Sequence, residues 1–267
     1  MTWEIRVLDL GEVELDGSRT VITRPPGKKV RVPVLAFLLL GDRGPILVDS
    51  GFRNPEILTR LGMRGFQSEE QRLERRLAAH GLGPADLELV IYTHLHIDHG
   101  GHPELFPLTV PFVINRRELE YSVSGLSGPS YPPEDIKPLI DRLHTKNALT
   151  LLDTELTGGE EIVPGIVARP AGAHTEGSMT LHLDTVAGRA CICGDALYNV
   201  EEQVVRQASV LRADPVTSNN FVVSRRSEKA AIKRILNSAD VVYPSHDWPV
   251  RVAHGSVIGP LERPRIG

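Results

Sequence analysis

The stretch Thr93-His94-Leu95-His96-Ile97-Asp98-His99-Gly100-Gly101 places four metal-capable side chains within six residues. The apolar run Leu87–Tyr92 precedes it, and its β-branched and aromatic residues predict a short buried strand. Residues two apart on an extended chain point the same way, so His94 and His96 can converge on one ion. On a helix they would lie about 200° apart and could not. The spacing therefore predicts a metal site at the end of a strand.

Asp98 and His99 follow at the point where this strand must end and the chain must turn. We expect the pair Gly100-Gly101 to supply the φ values that a tight reversal needs. The two earlier histidines and the Asp98-His99 pair then approach from adjacent directions, as two neighbouring metal ions would require. Histidines near a strand end are commonly surface or core residues, but three of them with an aspartate at this spacing favour a metal. Four ligands cannot fill two catalytic sites, so more must lie elsewhere in the chain.

The composition is typical of a globular protein, with 41% of the 267 residues apolar and 24% charged. The net charge of −4, without a basic run, argues against a nucleic-acid partner. Cys191 and Cys193 lie in an apolar run, so we expect them to be small, buried strand residues. This cysteine usage is consistent with a reducing compartment. The sequence has neither an apolar signal-peptide core nor a run long enough to span a bilayer. We therefore expect a cytoplasmic protein that binds neither nucleic acid nor membrane.

Further polar residues stand at the ends of other predicted strands. His174 lies in a glycine-bounded turn, and Asp195 and His246 each follow a short apolar run directly. Residues at strand ends are free to point into a shared cleft, so we expect these three to join the cluster. Asp49 also ends an apolar run, and two compatible interpretations apply to it. It forms an Asx turn with the residues that follow, or it is a carboxylate that orients a ligand histidine.

Other patterns predict helices and loops. The capping box Ser68-Glu69-Glu70-Gln71 predicts the start of a helix that ends at Gly81, and a second, amphipathic helix is predicted over Ser227–Asn237. Residues 122–146 are rich in proline and glycine, which predicts a partly helical insertion near the active-site mouth. A plain surface loop explains the same composition equally well. We expect residues 260–267 to form a loose tail.

These residues resemble a known family. The motif His94-x-His96-x-Asp98-His99, followed by His174, Asp195 and His246, is similar to the dinuclear ligand set of the metallo-β-lactamase superfamily over nearly the whole chain. The resemblance implies an α/β (α+β) fold, a four-layer αββα sandwich in one domain over residues 1–267, with the metals at the edge between two sheets. It also implies that His94, His96 and His174 hold one metal, that Asp98, His99 and His246 hold the other, and that Asp195 bridges both.

Smaller cues within this superfamily favour a lactonase. Asp195 stands where the true β-lactamases have a cysteine ligand, and His96 stands where the flavodiiron oxygen reductases have glutamate. The stretch Asp195-Ala196-Leu197-Tyr198 is similar to the N-acyl homoserine lactonases and related lactonases, in which the tyrosine hydrogen-bonds the substrate carbonyl or the leaving alkoxide. The alternative for Tyr198 is a tyrosine that covers the edge of the core. Ala173 and His102 replace the family's usual glycine and asparagine, which bears on substrate identity.

The resemblance implies a hydrolase that opens a lactone ring with two divalent metal ions, with zinc expected and iron, cobalt or manganese as alternatives. A metal-bridging hydroxide would attack the ring carbonyl, Tyr198 would stabilise the oxyanion, and Asp98 would bind metal and take a proton. The expected substrate is a small-molecule lactone or ester such as an N-acyl homoserine lactone, so that the reaction would be quorum quenching. Phe106 and the 122–146 segment are expected to line the pocket. A glyoxalase-II-like thioesterase, another hydrolase of this fold and a di-iron redox protein are the alternatives, and a homodimer is compatible with all of them.

Overall fold

The computed structural model describes residues 2–208, 214–219 and 222–261. Within these ranges, the first part of the chain forms one mixed sheet whose strands are β1 (Glu4–Asp16), β2 (Lys29–Leu40), β3 (Ile46–Val48), β4 (Arg64–Phe66), β5 (Leu89–Ile91), β6 (Phe112–Asn115) and β7 (Leu149–Leu152). Their order across the sheet is β4-β1-β2-β3-β5-β6-β7. The pairs β3/β5, β5/β6 and β6/β7 are parallel, so these strands end at the same edge.

The second part of the chain forms another mixed sheet. Its strands are β8 (Glu160–Val163), β9 (Ile166–Pro170), β10 (Met179–Thr185), β11 (Gly188–Gly194), β12 (Val241–Pro244), β13 (Val250–Ala253) and β14 (Ser256–Pro260). They follow one another in the order β14-β13-β12-β11-β10-β9-β8. Only β11 and β12 pair in parallel among them, which brings the ends of these two strands to one edge.

The main core lies between the two sheets. Alternate residues of β2 face opposite sides of the first sheet, so Phe37 packs into this core while Leu38 packs on the outer face. Across the core, the ring of Phe37 meets that of Tyr243 on β12 edge to face, with centroids 5.8 Å apart. Such contacts between large apolar side chains hold the sheets face to face.

Helices cover both outer faces. They are α1 (Gly17–Thr20), α2 (Leu73–Ala78), α3 (Arg116–Val123), α4 (Pro133–Leu143), α5 (Thr154–Thr157), α6 (Val200–Gln203) and α7 (Arg225–Ser238). Apolar residues of α2, α3 and α4 pack on the first sheet, and those of α6 and α7 pack on the second. The predicted four-layer αββα sandwich is therefore confirmed.

The predicted helix starts differ from the observed ones. After Ser68 the chain makes only one 3-10 turn, Glu69–Gln71, and Arg72 is extended, so that α2 begins at Leu73. The predicted capping box is present, since the Gln71 side chain accepts the Ser68 N–H (3.0 Å), and the same side chain donates to the Asp9 carboxylate on β1 (3.0 Å). The predicted second helix is confirmed as α7, although it begins two residues earlier than expected.

The segment 122–146 is partly helical, as predicted, since it contains the end of α3, a 3-10 turn at Gly128–Ser130 and the whole of α4. Of the predicted tail, Pro260 belongs to β14 and residues 262–267 lie outside the described ranges. Among the described residues, no helix combines the length and apolar character that crossing a bilayer requires. The single domain and the cytoplasmic location stay predictions.

Candidate metal centre

The predicted ligands meet at one edge of the sandwich, where strands of both sheets end. His94 and His96 follow β5, and Asp49 follows the parallel neighbour β3. Asp195 and His246 follow the parallel pair β11 and β12. Because the carboxyl ends of parallel strands share one edge, residues far apart in the sequence come together there. His174 reaches the same edge from the loop between β9 and β10.

Three histidines form the first group, which we call the first trio: His94, His96 and His174. One nitrogen from each lies within 4.8 Å of the others. His174 Nε2 is 2.7 Å from His96 Nδ1, and the His94 and His174 rings meet edge to face with centroids 4.5 Å apart. The end of one strand in the first sheet and a loop of the second sheet therefore aim their nitrogens at one point.

Asp98, His99 and His246 form the second trio, again with ligand atoms within 4.8 Å of one another. His246 Nε2 lies 3.5 Å from Asp98 Oδ2 and 3.3 Å from His99 Nε2. Like the first trio, this group takes residues from both sheets.

Asp195 lies between the two trios. Its Oδ2 faces the first, 3.5 Å from His174 Nε2 and 4.0 Å from His94 Nε2. Its Oδ1 faces the second, 3.2 Å from His99 Nε2 and 3.3 Å from His246 Nε2. One carboxylate oxygen thus points toward each trio, which is the arrangement that a bridging ligand needs.

The protonation of the first trio fits a bound cation. His94 Nε2 is buried and has no hydrogen-bond partner among the described residues. Burial lowers the pKa of His94 well below its ordinary value and lowers those of His96 and His174 to about 3. The rings are therefore neutral at pH 7 and keep a lone pair, as a metal ligand must.

The second trio is electrostatically different. Burial disfavours a charge on His99 and His246, but the Asp195 and Asp98 carboxylates outweigh it and raise both pKa values. This part of the cluster therefore attracts positive charge. A divalent cation there would replace the protons that the carboxylates otherwise hold on the two rings.

Hydrogen bonds on the outer ring nitrogens orient the histidines. The Nδ1 atom of His99 lies 3.0 Å from Asp49 Oδ2, and Asp49 also accepts hydrogen bonds from the Thr93 N–H and hydroxyl (both 2.8 Å). His246 Nδ1 donates to the Pro33 carbonyl at 2.8 Å. Such contacts fix the tautomer and leave the other nitrogen for a metal. They support the interpretation of Asp49 as an orienting carboxylate.

Glu118, a residue that the sequence reasoning did not select, joins both parts of the first trio. Its fully buried carboxylate accepts hydrogen bonds from the N–H of Leu95 (2.9 Å), between His94 and His96, and from the hydroxyl of Thr175 (2.6 Å), next to His174. It also accepts one from the Tyr131 hydroxyl (3.0 Å), and the Tyr131 ring lies against His96. Glu118 lies in the first turn of α3, and its partners are 13, 23 and 57 residues away in the chain.

Two backbone features bring the loops together. Neither Gly100 nor Gly101 has a positive φ, so the predicted reason for the glycine pair is wrong. Gly101 is needed for close approach instead, because a Cβ there would lie 2.6 Å from the Gly51 carbonyl oxygen. Asp49 and His174, by contrast, adopt the left-handed region with φ of 61° and 67°, an unfavourable conformation that tends to occur at functional sites.

Tyr198 lies beside the cluster, at the end of the turn after β11. Its hydroxyl is 3.0 Å from His174 Nδ1, and its ring stacks on His246 with an interplanar angle of 3°. Burial and the Asp195 carboxylate raise the Tyr198 pKa well above its ordinary value, so the phenol stays protonated. The ring therefore presents a hydrogen-bond donor at the edge of the cluster.

A cavity of about 580 Å³ opens onto the cluster, where Asp98, Asp195 and Tyr198 line its floor. Apolar side chains of β1, β2 and the loops form one wall, and they include Val13, Leu15, Val32, Leu61, Met63 and Ile97. Ser127 and Ser130 come from the 122–146 segment, as predicted. The prediction for Phe106 is wrong, because this side chain is buried in the outer core against Phe112. His102 contacts the Arg53 carbonyl instead of the cluster.

A sequence profile of the metallo-beta-lactamase superfamily matches residues 30–246. The chain belongs to the metallo-beta-lactamase superfamily. This superfamily member is 30% identical to an N-acyl homoserine lactonase of Bacillus cereus over 251 residues, which are 89% of this chain and 90% of that protein. A solved N-acyl homoserine lactone hydrolase with its product N-hexanoyl-L-homoserine bound at the catalytic metal center matches with a TM-score of 0.69 and 25% identity, over 88% of both chains. A probable metal-dependent hydrolase from Staphylococcus aureus shares the fold, with a TM-score of 0.76 at 18% identity over 99% of this chain and 98% of that chain.

These comparisons confirm the predicted superfamily and the prediction of a metal-dependent hydrolase. The structure brings all seven predicted ligands and Tyr198 into one cluster. That the seven bind metal, and that Asp98 and Tyr198 act in catalysis, stays a prediction. The identity of the metal and the oligomeric state stay predictions as well.

Proposed function

We propose that the protein is a lactonase that opens the ring of N-acyl homoserine lactones or closely related lactones with two divalent cations. The observation that carries the proposal is the position of Asp195, with one carboxylate oxygen toward each trio. Two cations so close together suit the hydrolysis of a carboxylic ester bond. The lactonase relatives that match nearly the whole chain support the choice of a lactone.

The first trio would hold one cation, the second trio the other, and Asp195 would contact both. Histidine nitrogens and carboxylate oxygens suit zinc, which we propose as the metal, although iron, cobalt and manganese accept the same donors. When bound, the cations would supply Lewis acidity that ionises a water and polarises the substrate carbonyl.

Tyr198 would act on the substrate carbonyl. Because His174 Nε2 faces the first trio, the His174 proton belongs on Nδ1, which lies 3.0 Å from the phenol oxygen. His174 then donates to that oxygen, and the phenol O–H is left to donate elsewhere. As the carbonyl oxygen gains charge under attack by water, this O–H stabilises it.

Asp98 would move the proton. Its carboxylate lines the same cavity floor as Tyr198, so it can reach the attacking water. It would accept the proton that the water loses when the new C–O bond forms. It would return this proton to the ring oxygen when the ring C–O bond breaks, which leaves a hydroxy acid as product.

The apolar wall of the cavity would receive the acyl substituent of the substrate. Val13, Leu15 and Val32 project from β1 and β2, which carry none of the proposed ligands. Ile97 lies between His96 and Asp98, so the wall adjoins the reacting groups. An acyl chain placed there would leave water and gain binding free energy in proportion to its length, by about 0.8 kcal/mol per methylene group.

A pH-indicator assay would test the proposal. Cation-reconstituted protein would be offered N-acyl homoserine lactones of several chain lengths beside glutathione thioesters, with elemental analysis of the same sample. We expect two cations per chain and proton release from the lactones. Faster turnover of the thioesters would favour a glyoxalase-II-like thioesterase instead, and oxygen consumption by an iron-loaded protein would favour the redox alternative.

The substitution Tyr198→Phe tests the phenol separately. It removes the O–H and keeps the ring that stacks on His246. We expect an unchanged cation content and a kcat lowered about 10²–10³-fold, as for removal of one oxyanion donor. An unchanged kcat would remove Tyr198 from the mechanism.

A further inference from the structure

The backbone around Tyr198 lies in the short turn between β11 and α6, outside regular secondary structure. Its amide groups are hydrogen-bonded by a side chain. Gln203, the last residue of α6 and fully buried, accepts hydrogen bonds on Oε1 from the N–H of Tyr198 (2.8 Å) and the N–H of Asn199 (2.9 Å). Two neighbouring amide groups of the turn thus depend on one side-chain oxygen.

The amide nitrogen of the Gln203 side chain is hydrogen-bonded as well. Gln203 Nε2 donates to the Val216 carbonyl at 3.0 Å, and the Gln203 carbonyl accepts the Val216 N–H at 2.9 Å. Val216 belongs to the segment 214–219, whose Asn219 lines the active-site cavity. A side-chain amide offers an acceptor to the turn and a donor to this segment at once.

Two further contacts set the register of the turn against the cluster. The Asn199 side chain accepts the Glu202 N–H at 2.8 Å and caps α6. The Val200 N–H donates to Asp247 Oδ2 at 2.8 Å, directly after the predicted ligand His246. The backbone of the turn is therefore held from Tyr198 to Val200, and the Tyr198 ring itself stacks on His246.

We propose that Gln203 is a positioning residue for the reaction, holding the Tyr198 phenol at the distance and angle that catalysis requires. The inference rests on the role proposed above for Tyr198. Gln203 touches neither substrate nor metal ligand in this role; it acts through the backbone of the turn. A displacement of about 1 Å at a reacting group can cost about 10²-fold in rate, so loosening the turn should lower kcat.

A double-mutant cycle tests this coupling. Gln203→Met keeps the length of the side chain and removes both hydrogen-bonding ends. We expect it to lower kcat about 10–100-fold, with a smaller change in KM. In the Tyr198→Phe background the same substitution should change kcat less than about threefold, because the group that it positions is already absent.

Gln207→Met is the matched control. Gln207 lies four residues further on, is half-buried, and donates from Nε2 to the Glu202 carbonyl at 3.1 Å. Within the described part of the chain, its hydrogen bonds go to Glu202 and Val204 and do not reach Tyr198 or Asn199. We expect kcat to stay at the wild-type value in this variant, whereas an equal fall in both glutamine variants would overturn the inference.

A second readout does not depend on turnover. The chain has five tyrosines, so ¹³C labelling of their ring carbons should give a small set of NMR signals, and the signal lost in Tyr198→Phe identifies Tyr198. We expect this signal to shift or broaden in Gln203→Met and to stay in place in Gln207→Met. If Gln203→Met does not fold, Gln203→Glu is the second variant, because its carboxyl group, which burial keeps protonated, retains an acceptor for both amide groups and a donor for the Val216 carbonyl. The Tyr198 signal should then stay in place.

The outcomes separate this inference from the proposed function. If Tyr198→Phe lowers kcat but Gln203→Met lowers it by the same factor in both backgrounds, Gln203 acts on the fold in general and the inference is wrong. If Tyr198→Phe leaves kcat unchanged, the proposed role of the phenol fails. The role of Gln203 in the reaction then fails with it, and the Tyr198 signal in Gln203→Met shows only whether Gln203 holds the ring in place. A displaced signal in Gln203→Glu would also overturn the positioning role.

Discussion

Removing the Glu118 carboxylate should destabilise the protein more than most single substitutions. In Glu118→Ala the Leu95 N–H, the Tyr131 hydroxyl and the Thr175 hydroxyl lose their buried acceptor. Each unsatisfied donor costs about 1–3 kcal/mol, or about 3–9 kcal/mol for the three. The hydroxyls can turn to other acceptors, since Thr175 Oγ1 already lies 2.5 Å from Ser178 Oγ, but the amide cannot. We therefore expect a loss of about 3–5 kcal/mol from a total that is typically about 5–15 kcal/mol.

The substitution Glu118→Gln is more conservative than Glu118→Ala and allows the effect on metal binding to be measured separately from the effect on stability. It keeps one acceptor oxygen, so we expect the free energy of unfolding to fall by only about 1–2 kcal/mol. The loops that carry His94, His96 and His174 should nevertheless be held less firmly. We expect the affinity for one of the two cations to fall about 10–100-fold, as for other groups that orient ligands. Competition with a chromogenic chelator measures this affinity, and urea unfolding of the metal-free protein measures stability without a contribution from binding.

Glu228 offers a matched control. It is a second buried helical glutamate, 2% exposed, and it accepts the Ser218 N–H at 2.6 Å. We expect Glu228→Gln to reduce stability to a similar extent and to leave both cation affinities unchanged. Wild-type cation affinity in Glu118→Gln, or a loss below about 1 kcal/mol in Glu118→Ala, would refute the reasoning about this carboxylate.

Two further predictions concern buried aspartates. Asp195→Ala should abolish turnover and leave less than one cation per chain by elemental analysis, because one carboxylate oxygen faces each trio; retention of two cations would contradict this. Asp135, which pairs with Arg53 at 2.9 Å and is 1% exposed, has its pKa raised by burial from 3.8 to about 6. The folded state therefore holds the proton more tightly than the unfolded state, so stability should fall as the pH rises from about 4 to 6, by at most about 3 kcal/mol. Urea unfolding across this pH range should show the slope in the wild type and a flatter profile in Asp135→Asn.

The predicted ligands could be found in the sequence because their signal is local. Each lies within a few residues of a short apolar strand, and the period of an extended chain limits where its side chain can point. The αββα layers and the assignment of ligands to two trios came from resemblance to a family, because periodicity alone indicates only a mixed α/β fold. The same local reasoning was sufficient for Asp49, which stands at a strand end like the ligands.

Glu118 and Gln203 could not be found in this way. The partners of Glu118 are 13, 23 and 57 residues away, and those of Gln203 include Val216, 13 residues further on. A glutamate in the first turn of a helix has an ordinary local explanation, so nothing in the pattern pointed to loops elsewhere. Gly101 is a similar case, since its lack of a side chain is required by the Gly51 backbone and not by its own φ.

Both trios draw members from the two sheets, and this has a consequence for any cut in the connection between β7 and β8. The leading fragment would retain His94, His96, Asp98 and His99, and the trailing fragment would retain His174, Asp195 and His246. Each fragment would contain part of both trios and the whole of neither. Uptake of two cations by a mixture of the fragments, but by neither fragment alone, would then report that the halves had reassociated in their native arrangement.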